Sequence, residues 1–186
     1  AAAPPLLVLP LRRQISTTIT ADHDYRPPAL RSRQKLIIQS SWNEAVAGMG
    51  REALGAEILR QLFTREPEAA RILPFTCDCI GGDGPGALAF ASHSTDVASM
   101  ITAAVNLLEM PETLLPVLHD IGDRHASYGV TNAHYLAMGN AFIAAAEVGF
   151  GEGFTPEMRT AYEDFWRVMS YEMNPESRHS HVSVAA

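Results

Sequence analysis

His93 and His125 are the residues in this sequence whose type and setting could do chemistry. Each interrupts an apolar stripe of helical spacing. Phe90, His93, Val97, Met100, Ile101, Ala104 and Leu108 step by three or four residues, and Leu114, Leu118, Ile121, Gly122 and His125 form a second such stripe. A single imidazole facing a core is most simply a satisfied core histidine. Two of them on neighbouring helices open another reading, because neutral imidazole is an axial ligand for iron and opposed helices leave a slot for a flat apolar macrocycle. Iron needs only one of the pair. The other could bind the metal too, or donate a hydrogen bond to a small ligand.

Helical periodicity runs through the body of the chain, and no strand alternation appears. "RQKLIIQSSWNEAVAGM" places Leu36, Ile37, Trp42, Val46 and Met49 on one face with Ser40 and Ser41 opposite. "GREALGAEILRQLFTREPEAARIL" gives a second helix with Leu54, Ile58, Leu59, Leu62 and Phe63, a bend at Glu66, and Pro67 opening a short new turn. A glycine-rich loop, "PFTCDCIGGDGPGALA", then leads into the helix of His93. Pro111 separates that helix from the helix of His125, which Gly129 ends. "NAHYLAMGNAFIAAAEVGF" and "TPEMRTAYEDFWRVMSYEM" complete at least six helices; the last has Thr155 as cap and Pro156 at its first position.

Bulk properties frame the function. The 186 residues, 47% hydrophobic and 19% charged, suit one domain with tails, expected at 34–174. Residues 1–33 read as a basic, proline-containing disordered arm and 175–186 as a disordered polar tail. The formal charge of -7 argues against nucleic acid as a partner. It is unevenly spread: residues 1–35 hold six basic residues against Asp22 and Asp24, about +4, leaving about -11 for the remainder. That arm is a weak electrostatic anchor for a membrane. The start of the sequence does not read as a signal peptide, and a cytoplasmic location is expected. Cys77 and Cys79 sit too close for an unstrained disulfide; they read as loop thiols or as a redox-sensing or intermolecularly pairing site.

The order of these landmarks resembles that of the globins over about Leu36 to Met173, nearest to the neuroglobin and cytoglobin type. Trp42 matches the tryptophan of the first globin helix, "LFTREPE" the end of the second, and Pro67 the proline of the short third. "SHSTDVASMITAAV" is similar to the distal helix and "IGDRHASYGV" to the proximal segment, with 32 residues from His93 to His125, as in the neuroglobin type. "GEGFTPEMRTAYEDFW" resembles the opening of the last helix.

The resemblance implies an all-α globin fold of six to eight helices around haem b, iron protoporphyrin IX. His125 would be the proximal ligand, its Nδ1 held by the Ile121 carbonyl, and His93 the distal histidine. Leu59, Phe90, Val97, Ile121, Val130 and Tyr135 would line the pocket. Dioxygen, carbon monoxide and nitric oxide would be the ligands. The family's phenylalanine six residues after the third-helix proline is replaced by Leu73, with Phe75 two residues later, so either packs on the haem. Asp96 stands where many globins have a basic residue near the propionates, which leaves Arg71 or Arg124 for that task. Leu59 offers no hydroxyl, so His93 is the distal donor.

Two modes follow. With His93 off the metal, the chain suits oxygen storage or transport. With His93 on it, an external ligand must displace the imidazole, and its apparent affinity falls by the fraction of open protein. That mode suits redox sensing or nitric oxide and nitrite chemistry, with a separate reductase supplying electrons. A haem-free, globin-like interaction module is the alternative of a different class.

Overall fold

The computed structural model describes residues 27–75, 79 and 82–179. Cys77, the arm up to Arg26 and the tail beyond His179 lie outside that range. The described residues form α1 (Ser32–Met49), α2 (Arg51–Arg65), α3 (Pro67–Ala70), α4 (Pro85–Asn106), α5 (Pro111–Ser127), α6 (Asn132–Phe150), a 3-10 turn (Gly151–Gly153), α7 (Pro156–Met173) and α8 (Pro175–His179). The fold is all-α.

Prolines set most of the starts. Pro67, Pro85, Pro111 and Pro156 each occupy the first turn of their helix, where the missing N–H would have had no partner and the fixed φ suits the helix. Thr155 caps α7 through its Oγ1, which accepts from Met158 N at 3.2 Å. Pro85 also explains why α4 begins five residues before Phe90, inside the segment read as loop. At the other end of α5, Gly129 takes φ +83, which lets Val130 N donate to the His125 carbonyl at 3.1 Å.

α2 packs across α4 and α6, while α5 lies along α7. The largest apolar cluster is built around Phe142 of α6, ringed by Trp42, Tyr162, Phe165 and Trp166 at centroid distances of 5.3–6.1 Å. Both indoles are satisfied: Trp42 Nε1 donates to Thr102 Oγ1 and Trp166 Nε1 to the Tyr135 carbonyl, each at 2.9 Å. A second cluster joins Leu59, Leu62, Ala70, Phe75 and Phe90 to Ala137 and Ala141 of α6.

The face of α1 differs from the expected one. Leu36 is 66% exposed and Met49 46%, whereas Ile38, Ser41 and Trp42 are buried. Ser41 can go inside because its hydroxyl is satisfied there, donating to the Ile37 carbonyl at 2.7 Å and lying 2.9 Å from the Tyr162 hydroxyl. The segment after Asn174 also carries structure: α8 is seeded by Glu176 N donating to Asn174 Oδ1 at 3.1 Å, and Arg178 pairs with Asp123 of α5. Among the described residues no helix is long and apolar enough to cross a membrane.

Candidate ligand site between the two inward histidines

The site is made by α4 and α5, and each is seated by a glycine against another helix's backbone. At Gly55 of α2 an added Cβ would lie 1.8 Å from the Ser94 carbonyl oxygen, so only glycine lets α2 approach the α4 residue next to His93. At Gly122 of α5 an added Cβ would lie 1.8 Å from the Met173 carbonyl oxygen, which brings α5 onto the end of α7 three residues before His125. Neither close approach is visible in hydrophobic periodicity.

His125 is oriented by its own helix. Its Nδ1 lies 2.8 Å from the Ile121 carbonyl, which makes Nδ1 the donor and leaves Nε2 without a partner among the described residues. Tyr135 faces the ring at 6.5 Å between centroids. The tyrosine hydroxyl donates to the Met173 carbonyl at 3.3 Å, and burial pushes its pKa up to about 12.

His93 is held by packing alone. Its ring stands 5.5 Å from that of Phe75, and neither of its nitrogens has a hydrogen-bond partner among the described residues. Burial holds its pKa below the ordinary 6.5; His125 adds to the lowering and Asp96 opposes it. The imidazole is therefore neutral at pH 7, the form that can ligate a metal.

The eight expected pocket residues divide between the two apolar clusters. Leu59, Leu73, Phe75 and Phe90 belong to or pack on the smaller, and Val97, Ile121, Val130 and Tyr135 on the larger. Phe75 is buried and meets Phe63 and Phe90 edge-on or tilted as well as His93, whereas Leu73 is only half-buried. Phe63 and Met138 were not expected in the site: Phe63 meets Phe75 edge-on and Phe90 at a tilt, and Met138 touches both clusters. Their hydrophobicity was legible, but not which cluster they would join. Arg71 and Arg124 pair with Glu68 and Asp120 on their own segments.

Two imidazoles offer at most two ligands, and no group of three or more His, Cys, Asp or Glu among the described residues could hold a bare metal ion. A metal here needs a carrier that supplies the other ligands. A tetrapyrrole, which brings four nitrogen donors of its own, fits a donor set of one or two imidazoles.

The family model "Globin" matches residues 56–173. The chain belongs to the globins. Neuroglobin of Tetraodon nigroviridis is 26% identical over 148 residues, covering 78% of this chain and 91% of that protein. Neuroglobin of Danio rerio is 25% identical over 143 residues, covering 75% and 87%. Among solved structures, a hexacoordinated heme protein from an anhydrobiotic tardigrade superposes with a TM-score of 0.66 at 18% identity, covering 80% of this chain and 96% of that one.

Two further histidines of this globin, His119 and His134, have partners on the protein. His119 Nε2 lies 3.0 Å from Glu172 Oε2 of α7, and His134 forms a capping box with Thr131 at the start of α6.

Proposed function

We propose that this globin binds haem b, with His125 and His93 as the residues that would hold its iron at rest and His125 as the proximal one. When bound, haem supplies a redox-active iron that takes dioxygen, carbon monoxide or nitric oxide. The observation that carries the reading is the pair of partly buried imidazoles on successive long helices, His125 with its orientation fixed by a carbonyl and His93 packed on Phe75 and free of hydrogen bonds among the described residues.

The chain's own residues then divide the work. The Ile121 carbonyl accepts the Nδ1 proton of His125 and holds its ring plane. Phe75, Phe90, Leu59 and Val97 exclude water from the distal side, and Phe75 limits how far the His93 ring can swing. Because His93 makes no hydrogen bond to the described residues, only its bond to the iron of a bound haem would have to break for it to move aside. It can then donate from a ring nitrogen to a small ligand in the pocket. That exchange suits oxygen or redox sensing, or nitric oxide and nitrite chemistry supplied with electrons by a separate reductase.

An absorption spectrum of the anaerobic ferrous protein tests the assignment. Two axial histidines give sharp, split visible bands that His93→Leu converts to one broad band. A broad band in the unmutated protein refutes coordination by His93 and favours oxygen storage or transport. Retention of the split two-histidine bands by His125→Leu refutes the proximal assignment.

A further inference from the structure

A cavity of about 650 Å³ lies away from both histidines, where α1, α2, the end of α6 and the start of α7 meet. That volume falls within the range of sites that bind ligands or peptide side chains. Its aromatic lining comes from Trp42, Phe142, Phe150 and Tyr162.

Three glycines also line it: Gly48 in α1, Gly149 in α6 and Gly153 in the 3-10 turn. None of the three has positive φ, and a Cβ added at any of them would meet nothing within 4 Å. Glycine in a helix is unfavourable relative to alanine, so the fold gains nothing from Gly48 and Gly149 in packing or turn geometry. What they do is keep the cavity wall bare.

The charge of the lining is one-sided. Glu44 and Glu57 contribute carboxylates, and no lysine, arginine or histidine lines the cavity. Glu57 is already paired with Arg60, whereas Glu44 has no ion-pair partner among the described residues.

The sequence contains a segment of matching chemistry. Pro4 to Leu11 reads "PPLLVLPL" and is followed directly by Arg12 and Arg13. Proline-rich apolar segments dock in aromatic-lined grooves because the polyproline conformation is already formed and little order is lost on binding. Near the start of the described chain Leu30 packs on the main core, and Arg33 pairs with Glu157, the neighbour of the cavity-lining Met158. From Arg13 to Pro27 an extended chain spans up to ~45 Å. The whole of α1 is only ~27 Å long, so the segment reaches every part of the cavity.

We propose that this cavity is a docking groove for the chain's own residues 4–13, with the leucines and prolines on the aromatic lining and Arg12 or Arg13 at Glu44. The full chain carrying a benzophenone amino acid in place of Leu9 tests this by irradiation and peptide mapping. The expected result is an intramolecular cross-link to the cavity lining, with Met49 and Met158 as favoured acceptors. Gly48→Leu and Gly149→Leu fill the groove from its bare wall, and each should lower the cross-link yield about tenfold, equivalent to ~1.4 kcal/mol. Circular dichroism shows that the variants stay folded. Cross-links that map elsewhere, that join two chains, that are absent, or that persist in the filled variants overturn the proposal; the unfilled protein alone decides the first three outcomes.

Discussion

Replacing Gly122 by alanine separates helix propensity from tertiary contact by sign. Propensity alone favours the substitution by about 1 kcal/mol in a helix interior. The structure opposes it, because the new Cβ would sit 1.8 Å from the Met173 carbonyl oxygen, 2.6 Å from its carbon and 2.8 Å from its Cα, where ordinary contact begins at 3.4 Å. Relief requires a separation of roughly 1.6 Å between two helix backbones, and no flexible side chain can give way instead. Overpacking of this kind costs about 3 kcal/mol, the upper part of its usual range. The net loss is then about 2 kcal/mol, a fall in Tm of roughly 4–8 °C for a chain of this size. Gly48→Ala is the control: it is helical, has nothing within 4 Å of the added methyl, and should raise Tm by up to about 4 °C. Thermal unfolding of the two variants in one buffer reads both signs. An unchanged or higher Tm for Gly122→Ala would refute the argument that this contact seats the helix of His125.

Three further outcomes follow from the described geometry. Phe75→Ala should cost about 3–5 kcal/mol, since it removes a buried ring in contact with Phe63, Phe90 and His93, and Leu73→Ala about half of that; denaturant unfolding that reverses this order contradicts the placement of Phe75 in the site. Tyr135 and Tyr162, both pushed up to about 12 by burial, should stay protonated in a native ultraviolet titration through the range near 10 where an unperturbed tyrosine ionises, and ionise early only if the protein unfolds. Burial raises the Glu163 carboxyl above its ordinary 4.5 against the opposing pull of Arg167 and Arg159. The folded state then binds more protons than the unfolded state just above pH 4.5, so this group's contribution to stability falls as pH rises through its folded pKa and is flat beyond it. Glu163→Gln should remove that limb; equal pH slopes for variant and parent would show that burial does not govern this carboxyl.

Much of this globin could be read from local patterns. Proline at the first helical position, a threonine cap and a glycine terminator act within a turn of chain, so α3, α7 and the end of α5 were legible around Pro67, Thr155 and Gly129. The 3.6-residue period put His93 and His125 on the inner faces of their helices, and the i to i+4 spacing named Ile121 as the carbonyl that orients His125. The same reasoning misplaced α1, because it ranked positions by hydrophobicity and could not know that a buried Ser41 would find the Tyr162 hydroxyl 121 residues away.

The sequence by itself determined the helices, their inward histidines and the family, because those depend on spacing along one chain. Only the tertiary structure decided which apolar residue meets His93, since Leu73 and Phe75 lie two residues apart in a segment without helical period. It also decided what the glycines are for. Gly55 and Gly122 admit a neighbouring backbone while Gly48 and Gly149 face open space, and one residue type serves both ends because a missing Cβ has meaning only through what stands opposite it.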